Sequence, residues 1–185
     1  TMREAMRILS LEGLLKRRIH RGIAVTQLSL RDVQEIYQVR RVLEISAIHA
    51  AKTPSPELLR EIRGALSQYE RAVQARDWVS AVTHDLTFHG LLIRFLENKR
   101  LESFYQKTIA ELRMGMVLVD RRHDHPGILI PVHRKLYELL KTGKLKECAK
   151  ILAQHLDDSE SRLARVIDNH KFATATQSSS VPRSK

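Results

Sequence analysis

Apolar residues return every three or four positions along most of this chain, and the breaks in that rhythm mark where its elements begin and end. From Thr1 to Leu15, Ala5, Ile8, Leu9 and Leu11 share one side of an amphipathic helix that Gly13 helps to end. The period then changes: Lys16 to Leu28 is short and basic, with Arg21-Gly22 at its centre and Ile23 and Val25 alternating after it, which predicts a small hairpin. Ser29 is placed to cap the next helix, with Asp32 near its positive end and Val33, Ile36, Tyr37, Leu43, Ala47 and Ile48 as its apolar stripe, ending before Pro54. Ser55-Pro56 starts another, whose face of Leu59, Ile62, Leu66, Tyr69 and Val73 runs to about Arg76.

Asp77 can cap a third segment, with Val82, Leu86, Leu92, Phe95 and Leu96 facing the core. After Asn98, residues Leu101, Phe104, Leu112 and Met116 mark a further helix, which Asp120–Gly127 breaks. The stretch from about Leu129 to Lys141 is helical after Pro131, Thr142-Gly143 stops it, and a last helix extends from Lys144 to roughly His170. The pattern predicts an all-α protein: residues 1–28 form a helix and hairpin, residues 29–170 a six-helix antiparallel bundle, and the Ser/Thr-rich residues 171–185 a disordered tail.

Composition agrees. With 185 residues there is enough chain for one well-filled core, and 7 Gly, 5 Pro and 5% aromatics favour helices over sheet. The single cysteine, Cys148, excludes an internal disulfide framework. No apolar run reaches the roughly 20 residues of a membrane span, and charges stand where a secretory segment would be apolar, so a soluble, cytoplasmic protein without membrane contact is expected. The net charge of +11 concentrates at the ends: residues 1–27 carry six Lys/Arg against two Glu, and Lys171, Arg183 and Lys185 lie in the tail. A nucleic acid would be met there.

The candidate chemistry lies in the bundle. Asp85 and His89 are four residues apart in a helix, which stacks a carboxylate and an imidazole on one face. His133 and His155 belong to the last two helices, antiparallel neighbours across the short Thr142-Gly143 connection, and His155 is in line with Ile151 and Leu152 on the inward stripe. Two readings stay open: a four-ligand metal site, or core histidines satisfied by backbone carbonyls beside a solvated Asp–His pair. Three imidazoles and one carboxylate suit a divalent Zn²⁺, Ni²⁺ or another first-row ion. Between Asp85 and His89 stand Leu86, Thr87 and Phe88, so the general base of an H-E-x-x-H hydrolase is not built in. Four protein ligands leave positions on a five- or six-coordinate ion that could hold a small carboxylate.

The run Met2-Arg3-Glu4-Ala5-Met6-Arg7-Ile8-Leu9, then Glu12-Gly13-Leu14-Leu15, Arg21-Gly22 and Val25, resembles the recognition helix and wing of GntR-family bacterial transcription regulators. Leu28 to Val33, Glu35-Ile36-Tyr37, Val39-Arg40 and Leu43-Glu44 look like the linker and first effector-domain helix of that family's FadR-type branch. Asp85, Phe88-His89, Asn98, Leu101, His133 and His155 are similar to its metal-binding effector domain.

The resemblance implies a ligand-responsive transcription regulator: a homodimer whose helical domain binds a small organic acid through a metal held by Asp85, His89, His133 and His155. Arg40 and Arg113 would hold the effector carboxylate. Arg3 and Arg7 would meet the double-stranded operator from the recognition helix, with Arg21 and Gly22 at the wing tip near the minor groove. A small helical metalloenzyme acting on an organic acid is the alternative. The chain departs from the family pattern in having Val132 where an acidic residue usually precedes the third ligand. It also lacks the first half of the winged helix ahead of Thr1, so the expectation is a truncated chain that senses ligand and binds DNA poorly.

Overall fold

The computed structural model describes residues 1–11, 15–18, 22–25, 28–52, 54–113, 115–116 and 126–178. α1 (Met2–Leu11) leads into β1 (Leu15–Arg18) and β2 (Gly22–Val25), an antiparallel pair in which Leu15 faces Val25 and Arg18 faces Gly22. α1 is shorter than its apolar pattern predicts, because Leu15 is drawn into the hairpin ladder. Ala5, expected on the buried side, is exposed; the side chains of Ile8, Leu9 and Leu11 lie outside the described set. Gly22 opens β2 at φ 74°, a left-handed conformation that glycine adopts without a Cβ clash.

Among the described residues six helices with full bounds follow: α2 (Leu30–Ala50), α3 (Pro56–Gln74), α4 (Trp78–Leu92), α5 (Lys99–Ala110), α6 (Ile130–Lys141) and α7 (Leu145–Ser178), with 3₁₀ turns at Ile93–Leu96 and Pro126–Leu129. Their starts are set by side-chain caps. The Ser29 hydroxyl accepts from the Asp32 amide while Asp32 accepts from the Ser29 amide, Ser55 caps α3 ahead of Pro56, Asp77 caps α4, and Asn98 accepts from the Arg100 and Leu101 amides. Gly143, at φ 69°, turns the chain between α6 and α7.

α3 packs on α4, and α2 on α7, around a core that includes Val33, Ile48, Ile62, Leu66, Phe88, Leu112, Leu136, Leu152 and Leu163. A smaller cluster of Ala47, Val82, Leu86, Ile93, Tyr105 and Ile109 lies where α2, α4 and α5 meet. Three details depart from the apolar pattern. The buried stripe of α2 contains Arg40 and Glu44, whereas Leu43 is only partly buried beside the smaller cluster. Phe104 is 52% exposed on α5 rather than in the core. α7 continues to Ser178, past His170 and into the segment whose composition suggests disorder, and Ala173 and Ala175 suit that helical extension. No described helix is long and apolar enough to cross a membrane.

Candidate metal centre

Asp85 and His89 sit one turn apart on the inner face of α4, His133 comes from the first turns of α6, and His155 from the middle of α7. All four are buried. The Nε2 atom of His89 lies 3.3 Å from Nε2 of His133 and 3.2 Å from Nε2 of His155, and Asp85 Oδ1 lies 2.9 Å from Nε2 of His133. The rings of His89 and His155 are parallel, 3° apart in plane, and His133 meets both nearly edge-on. Phe88 and Tyr69 stand against His133.

These spacings match the edges of a coordination shell. With metal–nitrogen bonds of about 2.1 Å, two ligand atoms are roughly 3.0 Å apart at a right angle and about 3.4 Å apart at the tetrahedral angle. The donor atoms also fit a cation chemically. Asp85 Oδ1 is buried without a hydrogen-bond partner although an imidazole nitrogen stands 2.9 Å away, so the two face each other without sharing a proton in hydrogen-bond geometry. An orphaned buried carboxylate oxygen is costly unless a positive charge meets it. The residues present therefore fit a divalent ion, and the three imidazoles among them lie close enough to share one.

Neighbouring groups hold these side chains in place. His133 Nδ1 is 2.7 Å from the Leu129 carbonyl oxygen, which directs its other nitrogen inward. His89 Nδ1 is 2.6 Å from Glu44 Oε2, and the other oxygen of Glu44 accepts from Arg40 Nε at 2.8 Å and from the Tyr105 hydroxyl at 2.6 Å. The Arg40 guanidinium stacks on Tyr37, 4.9 Å from the ring centre, and its Nη2 is buried with no hydrogen-bond partner.

Burial and neighbouring charges shift the ionisation of Asp85, Glu44, His89 and His155. Burial alone would raise the Asp85 carboxyl, but the closeness of His133, and then of His89 and His155, holds it below the ordinary carboxylate range. Burial likewise opposes ionisation of Glu44, yet Arg40 and His89 pull it down to about 2. Desolvation lowers His89 in spite of Glu44, and lowers His155 well below the usual imidazole value, with the nearby His133 and His89 adding to the effect. Neutral imidazoles and an ionised carboxylate are what a metal requires. Cys148 is buried too, and burial pushes its thiol up to about 12, leaving it unreactive.

Of the residues singled out in the sequence, His89, His133 and His155 come together, Asp85 meets His133, and Arg40 joins them through Glu44. Arg113 is exposed rather than part of this buried cluster. Arg3 and Arg7 are exposed on α1, where Arg7 pairs with Glu4 at 3.2 Å; Gly22 is exposed at the start of β2, and Arg21 lies outside the described residues. Glu44 and Tyr105 belong to the site without standing among the candidates in the sequence. A signal for Glu44 was present, since it and Arg40 occupy stripe positions between Tyr37 and Ala47 where a soluble helix would carry apolar residues.

The FCD domain family matches residues 35–158, a span that contains every residue of this cluster. The chain is 33% identical over 157 residues to the "Probable D-xylose utilization operon transcriptional repressor" of Paenarthrobacter nicotinovorans, covering 84% of this chain and 68% of that one. It is 29% identical over 174 residues to the "Uncharacterized HTH-type transcriptional regulator YdhC" of Bacillus subtilis (strain 168), covering 92% and 77%. Its fold is similar to that of a candidate GntR transcriptional regulator from Rhodococcus sp. RHA1, with a TM-score of 0.78 at 24% identity over 88% of this chain and 78% of the other. With the matching domain spanning most of the bundle and relatives named as regulators, the chain belongs to the FCD-domain, FadR-type branch of the GntR family of transcriptional regulators.

Proposed function

We propose that the bundle is a sensor in which a divalent first-row ion, Zn²⁺ or Ni²⁺, held by Asp85, His89, His133 and His155, anchors a small organic acid and so controls DNA binding by a cytoplasmic homodimer. The observation that carries this reading is the convergence of three imidazole nitrogens from three helices on one buried point, with an orphaned carboxylate oxygen of Asp85 against one of them. When bound, such an ion would offer a carboxylate its remaining coordination positions. The chain's own part is to bind and orient: Arg40 Nη2, a buried donor lacking an acceptor, suits the same carboxylate, and Arg40 is favoured over the exposed Arg113 for that role. Phe88 and Tyr69 wall off one side and limit water.

We assign the exposed Arg3 and Arg7 on α1, together with Arg21 and Gly22, to the operator. The relatives' names as regulators, and the lack of a built-in base between Asp85 and His89, favour ligand sensing over turnover.

The test combines metal analysis of the purified protein with thermal unfolding in Zn²⁺ or Ni²⁺ and then in a panel of mono-, di- and tricarboxylates. Metal is expected to copurify, chelation to lower the unfolding temperature, and a carboxylate at 100 times its Kd to add about 2.7 kcal/mol of stability. Absence of bound metal, together with an Asp85→Ala variant whose stability and ligand responses equal the wild type's, would overturn the reading.

A further inference from the structure

We propose that Glu44 is the positioning residue of this centre: its carboxylate fixes the proton of His89 on Nδ1 and thereby leaves Nε2 free to ligate. The inference rests on the metal reading above and deepens it.

Glu44 is fully buried on α2, and its two oxygens serve different groups. Oε1 accepts from Arg40 Nε and from the Tyr105 hydroxyl, at 2.8 and 2.6 Å, while Oε2 is left to His89 Nδ1 at 2.6 Å. A carboxylate paired with a guanidinium is an acceptor only, so Nδ1 must supply the proton between them. A neutral imidazole has a single N–H. Nε2 of His89 therefore presents a lone pair toward the point it shares with His133 and His155. His133 is treated alike by a different partner, donating from Nδ1 to the Leu129 carbonyl. That orienter is backbone and belongs to any sequence; Glu44 is a side chain, and its loss is specific to one ligand. Arg40 and Tyr105 on Oε1 hold the carboxylate so that Oε2 faces His89.

The test uses the full 185-residue chain with Zn²⁺ as the probe. Glu44→Gln keeps size and retains a carbonyl acceptor for Arg40 and Tyr105, but it turns an amide N–H toward His89 and so moves the imidazole proton to Nε2. Zn²⁺ binding by calorimetry is expected to weaken about 10- to 100-fold. Nitrogen–proton NMR of the metal-free protein is expected to show His89 as the Nδ1–H tautomer in the wild type and as Nε2–H in Glu44→Gln. Wild-type Zn²⁺ affinity in Glu44→Gln would overturn the inference. An Nε2–H His89 in the wild type would also overturn it, and that readout stands even if Glu44→Gln fails to fold. A wild type that binds no Zn²⁺ removes the metal reading and this inference with it, whereas normal binding by Glu44→Gln removes the inference alone.

Discussion

Ser29 and Asp32 satisfy each other's backbone at the start of α2: the Ser29 hydroxyl accepts from the Asp32 amide at 3.1 Å, and Asp32 Oδ2 accepts from the Ser29 amide at 2.8 Å. The pair sits where the chain leaves the hairpin region and enters the bundle, so it fixes the first turn of the helix that carries Arg40 and Glu44. Ser29→Ala removes one of these bonds and exposes an unsatisfied amide. A loss of about 1 kcal/mol in chemical unfolding is expected, with Zn²⁺ affinity unchanged. An unchanged unfolding midpoint would show that the cap contributes nothing.

Two glycines make opposite predictions. Gly64 lies inside α3 with open space around the position a Cβ would take, so Gly64→Ala should stabilise the protein by about 0.5 to 1 kcal/mol through its effect on the unfolded chain. At Gly115 a Cβ would stand 2.8 Å from Leu28 and 3.1 Å from Leu163, and Leu163 is held in the core. Gly115→Ala should therefore cost about 1 to 3 kcal/mol through overpacking. Equal unfolding midpoints for the two variants would contradict the packing described around Gly115.

Metal-free protein should weaken in acid in two stages. Burial, first of all, depresses His89 and His155, so below about 6.5 the unfolded chain takes up protons that the folded imidazoles refuse. Stability is full above that pH and declines as pH falls. A second decline belongs to Glu44, ordinarily near 4.5 and held at about 2 in the fold, which forfeits its contribution as pH drops through that interval. Guanidinium unfolding at a series of pH values measures both; a midpoint constant from pH 8 to pH 5 would contradict the histidine part.

Much of this architecture was legible because its signals are local. Ser29, Ser55-Pro56, Asp77 and Asn98 announce helix starts in the sequence and are found as caps, and the spacing of Asp85 and His89 dictates a shared helical face whatever surrounds it. His133 and His155 could be paired because a short turn joins their helices. Glu44 could not be assigned in this way. An Arg and a Glu four residues apart ordinarily form a solvated surface pair, and only the packing of α4 and α5 over α2 buries them and supplies His89 and Tyr105 as partners. Phe104 fails in the opposite sense: it has the spacing of a core residue, yet α5 presents it outward.

The placement of Arg40 on α2 has a mechanical consequence. At roughly 1.5 Å per residue, Arg40 stands about 15 Å along an unbroken rod from Leu30, the residue at which the chain enters the bundle. A tilt of about 5° pivoting at Arg40 would displace Leu30 by about 1.3 Å. A small change in the angle of α2 at Arg40 would thus appear as a shift of atomic size where the chain enters the bundle.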